Sequence, residues 1–90
     1  MTLSEIKEKI NTSLSSEEGI QMLTEYIEQN PKDDEALTLR GMKYWGLGQR
    51  ANAINDYLKA IEINPESKAK LALKATNEIL DYYNKDLYNP

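Results

Sequence analysis

Residues 34–67 read DEALTLRGMKYWGLGQRANAINDYLKAIEINPES. Leu37, Gly41, Tyr44 and Trp45 recur at three- and four-residue steps, the spacing of one helical stripe. Asp33 or Asp34 stands where a side-chain oxygen caps the first turn. Gly46-Leu47-Gly48 breaks the helix, with Gly48 free to take the left-handed conformation at the turn. A second helix follows from about Arg50, carrying Ala53, Ile54, Tyr57, Ala60 and Ile61 on one face. Asn64-Pro65 ends it, because a residue before proline is pushed out of the helical region.

The same grammar extends in both directions. Upstream, Leu3, Ile6 and Ile10 predict a helix from about Leu3 to Ser13, opened by the capping box Thr2-x-x-Glu5. Ser15 and Glu18 repeat that box before a helix bearing Ile20, Leu23, Tyr26 and Ile27, which Asn30-Pro31 stops. Downstream, a last helix is expected from about Ser67 to Tyr83, with Leu71, Ala72, Ala75, Ile79 and Tyr82 or Tyr83 facing inward. No segment alternates with period two between hairpin turns, so the class is all-α. A shift of 34 residues places Leu3 on Leu37, Ile10 on Tyr44, Ile20 on Ile54, Leu23 on Tyr57 and Asn30-Pro31 on Asn64-Pro65. A second such shift places Leu37 on Leu71 and Gly41 on Ala75. Such a period describes a helical hairpin that cannot bury its apolar face alone and stacks on copies of itself.

On these residues the stretch 34–67 resembles one unit of the tetratricopeptide repeat (TPR) family. Gly41, Tyr44, Ala53, Tyr57, Ala60 and Pro65 fill the family's small, aromatic and proline positions. The small residues let helices approach and the tyrosines fill the space between them. Residues 1–33 resemble a degenerate unit, with Gly19 as its small residue and Tyr26 where the pattern prefers a small one. Residues 68–90 resemble a terminal capping helix and tail. The resemblance implies one domain over 1–90: a short α-solenoid of two hairpins plus a C-terminal capping helix. Arg40 departs from the family's usual leucine, with Lys74 its counterpart one repeat on, and both are expected to snorkel to water over their apolar stems.

Composition narrows the chemistry. The 90 residues include no Cys and no His, which removes disulfides, thiolates, and the commonest general base and metal ligand. A net charge of −4 argues against a nucleic-acid partner. No apolar stretch approaches the ~20 residues that cross a bilayer, so no membrane role is expected. The chain from Met1 carries no leader signature and reads as a bacterial-sized cytoplasmic protein. Asp33, Asp34 and Glu35, like Glu17 and Glu18, are read as acids complementing a helix dipole. Gly46-Leu47-Gly48 lacks the strand and the Gly-Lys-Ser/Thr of a phosphate loop, and Ser15-Ser16 has no base to activate it. The expectation is therefore no enzyme, no cofactor and no metal.

What the resemblance implies instead is a concave surface made by the first helix of each hairpin, which receives a peptide or helix of a partner protein. Carried onto this sequence, that surface is Ser4, Glu8 and Asn11, then Glu35, Thr38, Leu39, Met42 and Trp45, then Ala72, Thr76 and Ile79. Trp45 and Met42 are the leading anchors, while Trp45 packed as ordinary core against the last helix and tail is the competing reading. Ser4, Glu8, Leu39, Ala69 and Leu73 occupy the places where some relatives grip a chaperone's terminal carboxylate, and none carries a cation or amide. No such clamp is expected. With Glu5, Glu8 and Glu35 near its rim, the groove suits an apolar segment flanked by Lys or Arg. The first 31 residues hold six acids against two lysines, whereas Lys68, Lys70 and Lys74 line the last helix. That asymmetry suits head-to-tail association or an acidic partner, or is simply a solvated face. The alternative function is a self-associating scaffold, a weak homodimer through Tyr82, Tyr83, Leu87 and Tyr88.

Overall fold

A computed structural model describes residues 1–12 and 15–76. Four helices are complete: α1 (Leu3–Thr12), α2 (Ser16–Gln29), α3 (Asp34–Gly46) and α4 (Arg50–Ile63). A fifth, α5, is helical over 69–76, where the described residues end. It starts two residues later than the sequence suggests, because the Ser67 hydroxyl accepts the Ala69 N–H at 3.1 Å and caps the turn. The expected C-terminal part of that helix, with Ile79 and the tyrosines, lies outside the described residues.

Local chemistry sets these boundaries. Thr2 and Glu5 exchange backbone-to-side-chain bonds of 3.2 Å each, and Ser15 and Glu18 do the same, so both capping boxes form. The Thr2 backbone N–H, then its hydroxyl, hold the Glu5 carboxyl below its ordinary range. Asp33 caps α3 by accepting the Ala36 N–H. Gly48 is left-handed at φ 78°, which lets the next N–H, that of Gln49, turn back to the Tyr44 carbonyl at 2.9 Å and reverses the chain into α4.

Each helix packs chiefly on its neighbours in sequence, α1 on α2, α2 on α3 and α3 on α4, as in a stack of hairpins. One apolar core threads the stack: Ile6 of α1, Leu23 and Ile27 of α2, Leu37 of α3, Tyr57 and Ala60 of α4, and Ala69 of α5. Gly41 sits against Tyr57, so close that a Cβ there would meet the ring at 2.6 Å. In the first hairpin Gly19 lies similarly under Ile10, at 3.3 Å.

The structure departs from the sequence expectations at two places. Leu71 and Ala75 do not face inward; Leu71 is 72% exposed and Ala75 is exposed too. Their counterparts Leu37 and Gly41 are buried, Gly41 against Tyr57 and Ala53 of the second helix of its hairpin, and no helix follows α5 among the described residues. α5 instead turns Ala69 and Thr76 into the core, with Ala72 and Leu73 half-buried beside them. Nor does Arg40 snorkel. Its guanidinium donates to both Asp56 oxygens at 2.8 Å and to the Thr24 hydroxyl at 3.2 Å, tying α2, α3 and α4 together. The bonded Asp56 carboxylate raises the Arg40 pKa despite its burial. Tyr44 lies under the same guanidinium, its ring centroid 5.7 Å away.

Two tyrosines give the fold an alkaline limit. The Tyr26 hydroxyl donates to Asp33 at 2.6 Å, and that bond raises its pKa above 10. Burial raises that of Tyr57. Because the folded values exceed the unfolded one, this stabilisation is full below pH ~10 and is lost as pH rises through the folded values. The folded protein should therefore form tyrosinate at higher pH than the urea-unfolded chain, and its melting temperature should drop over that interval. Coincident tyrosinate titrations of the two states would refute the assignment.

Candidate functional site

A groove of about 860 Å³ opens between α3 and α5. α3 supplies Glu35, Thr38, Leu39 and Met42, and α5 supplies Leu71 and Ala72. The turn after α4 closes one end with Asn64, Glu66, Ser67 and Lys68, and Lys7 of α1 reaches the same end. The turn is fixed to α3 by its own bonds. Asn64 donates to the Asp34 carboxylate at 3.4 Å and accepts the Glu66 N–H at 3.0 Å. The buried Thr38 hydroxyl donates to the Asp34 carbonyl at 2.8 Å and lies 3.4 Å from that of Ser67.

The groove is divided by polarity. Asp33, Asp34, Glu35 and Glu66 gather at the end where α3 begins, with Lys7 and Lys68 among them. Lys7 pairs with Glu35, bridging the first helices of successive hairpins. Two turns further along α3 the lining becomes apolar. Met42 is 54% exposed there and Leu71 lies in the same lining. Among the described residues no cluster of carboxylates is arranged to hold a metal ion.

Of the residues expected on the concave surface, Glu35, Thr38, Leu39, Met42 and Ala72 line this groove together. Glu8, Ser4 and Asn11 are exposed but do not line it, because α1 borders the groove only through Lys7. Trp45 lies beyond Met42, outside the lining. It is half-buried against the core, with the Arg50 guanidinium 5.4 Å from its ring. Thr76 is only 3% exposed and faces the core, so it offers nothing to a ligand. Ile79 lies outside the described residues. Lys7, Asn64, Glu66, Lys68 and Leu71 were not legible as groove residues. The 34-residue stride does carry a signal for Leu71, since it places an apolar side chain on a helix that no further helix follows among the described residues.

Helical hairpins in register at a constant stride, each leaning on the last, define a helical-repeat protein. Residues 34–67 match the family described as the tetratricopeptide repeat, and that segment is one such repeat. Comparison with curated proteins and with solved structures gives no match. Repeats of this family generally mediate protein–protein interaction. No helix among the described residues is long and apolar enough to cross a membrane.

Proposed function

We propose that this chain is a non-catalytic interaction module that receives a segment of another polypeptide in the groove between α3 and α5. One observation carries the reading: Met42 and Leu71, both large, apolar and more than half exposed, line the same groove. Exposed apolar side chains gathered in a concavity mark an interaction surface more than scattered ones do. The absence of His and Cys from the sequence favours binding over chemistry.

Peptides selected by display against the wild-type protein test this reading. Met42→Ser combined with Leu71→Ser should weaken the selected peptides at least ~10-fold, since two truncated anchors each cost more than ~1 kcal/mol. Both side chains are already open to water, so the melting temperature should hardly move. Trp45→Ala, outside the groove, should have the smaller effect on binding. Selected peptides that bind the double variant as well as wild type would refute the groove. Sedimentation at several concentrations addresses self-association separately.

A further inference from the structure

The polar side chains that line the groove are largely engaged within the chain. Thr38 donates to the Asp34 carbonyl, Ser67 accepts the Ala69 N–H, and Asn64 is bonded through both its amide nitrogen and its oxygen. An extended peptide laid here would find few partners for its backbone N–H and C=O groups, which are costly to leave unpaired. A helix brings those bonds with it and offers only side chains. The charge pattern adds a direction. Four carboxylates against two lysines make one end of the groove acidic, and the other end is Leu39, Met42, Leu71 and Ala72. Glu35 and Met42 are separated by about 10 Å along α3, at ~1.5 Å per residue.

Resting on the groove reading above, we infer that the occupant is an amphipathic helix bearing Lys or Arg about two turns from its apolar anchor, and that Lys7 holds Glu35 in its place until it arrives. The Lys7–Glu35 pair joins α1 to α3 at the acidic end, and its side chains are 39% and 54% exposed. An ion pair that open is weak and easily exchanged. An incoming cation takes over Glu35 and displaces Lys7, so α1 competes with the partner for one carboxylate. Removing Lys7 therefore improves binding, although it deletes an interaction of the free protein.

The test uses capped synthetic peptides built on alanine, with leucines at i, i+3 and i+4 and two lysines about seven residues from the central leucine. A second peptide carries glutamates for the lysines, and a third has a central proline that breaks the helix. Calorimetric titration at low salt should favour the lysine peptide over the glutamate peptide by ~10-fold or more, with the gap narrowing as salt is added. The proline peptide should bind more weakly than its parent. Lys7→Gln should tighten the lysine peptide ~2–5-fold, while Glu35→Gln and Glu66→Gln should each loosen it ~3-fold. Circular dichroism confirms that the variants fold. Equal binding of the lysine and glutamate peptides, no binding of either, or weaker binding by Lys7→Gln overturns this inference. Each of those results leaves the groove to be judged by its display-selected peptides and the Met42→Ser, Leu71→Ser variant. Lysine-peptide binding that survives that double substitution would instead sink the groove itself.

Discussion

Asp56→Ala is expected to destabilise the fold by about 2–4 kcal/mol. The carboxylate is 7% exposed and takes two hydrogen bonds from an Arg40 that is 18% exposed. Removing it strands a guanidinium between α3 and α4 with the Thr24 hydroxyl as its remaining hydrogen-bond partner. Truncating one member of a fully buried pair costs about 3–5 kcal/mol, and the partial opening of Arg40 to water lowers that range. A chain of this length holds only about 5–13 kcal/mol in total, so chemical denaturation should show a large fall in midpoint. The pair itself adds little beyond what apolar packing would give. Arg40→Leu with Asp56→Leu should therefore lie within about 1–2 kcal/mol of wild type and well above either single leucine variant. Thr24 is half-exposed and can turn its hydroxyl to water in that background. If Asp56→Ala melts like wild type, the pair does not form as described.

Gly41→Ala should destabilise by about 1–3 kcal/mol, against the direction that helix propensity alone gives. Alanine in a helix interior gains about 1 kcal/mol over glycine. Here its Cβ would meet the Tyr57 ring at 2.6 and 2.9 Å and the Ala53 carbonyl at 3.2 Å. The ring is 2% exposed and walled in by the core, so α3 and α4 must separate to admit the methyl. Gly46 provides the control, because it ends the same helix with open space around its Cβ position. Gly46→Ala should be neutral or stabilising by a few tenths of a kcal/mol. Pairing Gly41→Ala with Tyr57→Leu, which removes the ring, should recover part of the loss. Thermal unfolding of the four proteins checks the ordering, and a Gly41→Ala variant more stable than wild type would show that the hairpin is not closed at this point.

Helix ends and close approaches were legible because each depends on a few adjacent residues. Thr2-x-x-Glu5 and Ser15-x-x-Glu18 form their boxes, Asp33 caps α3, and the two Asn-Pro pairs stop α2 and α4. The complementarity of Gly41 and Tyr57 follows from the repeat pattern in the same way. What the pattern hid are features that depend on which face a neighbour covers. Arg40 and Asp56 are 16 residues apart on different helices, and periodicity read from apolar residues gives no sign that two charges share a seam. The stride that equates Leu71 with Leu37 is silent about what buries the one and leaves the other open. The site was half visible for the same reason. Glu35, Thr38, Leu39 and Met42 follow from the face of one helix, whereas Lys7, Asn64 and Glu66 join them only through the folded turn and the neighbouring hairpin.

The arrangement of the first helices of successive hairpins is the point on which the groove, the stack and the competition by Lys7 all depend. In a stack α1 lies beside α3, whereas in an up-and-down four-helix bundle α1 lies beside α4 and diagonally across from α3. Zero-length carbodiimide crosslinking, followed by mass spectrometry of the peptides, distinguishes the two directly. A stack gives an amide between Lys7 and Glu35, lost in Lys7→Gln and in Glu35→Gln. Crosslinks from α1 lysines to Glu62 of α4, with none to Glu35, would contradict it.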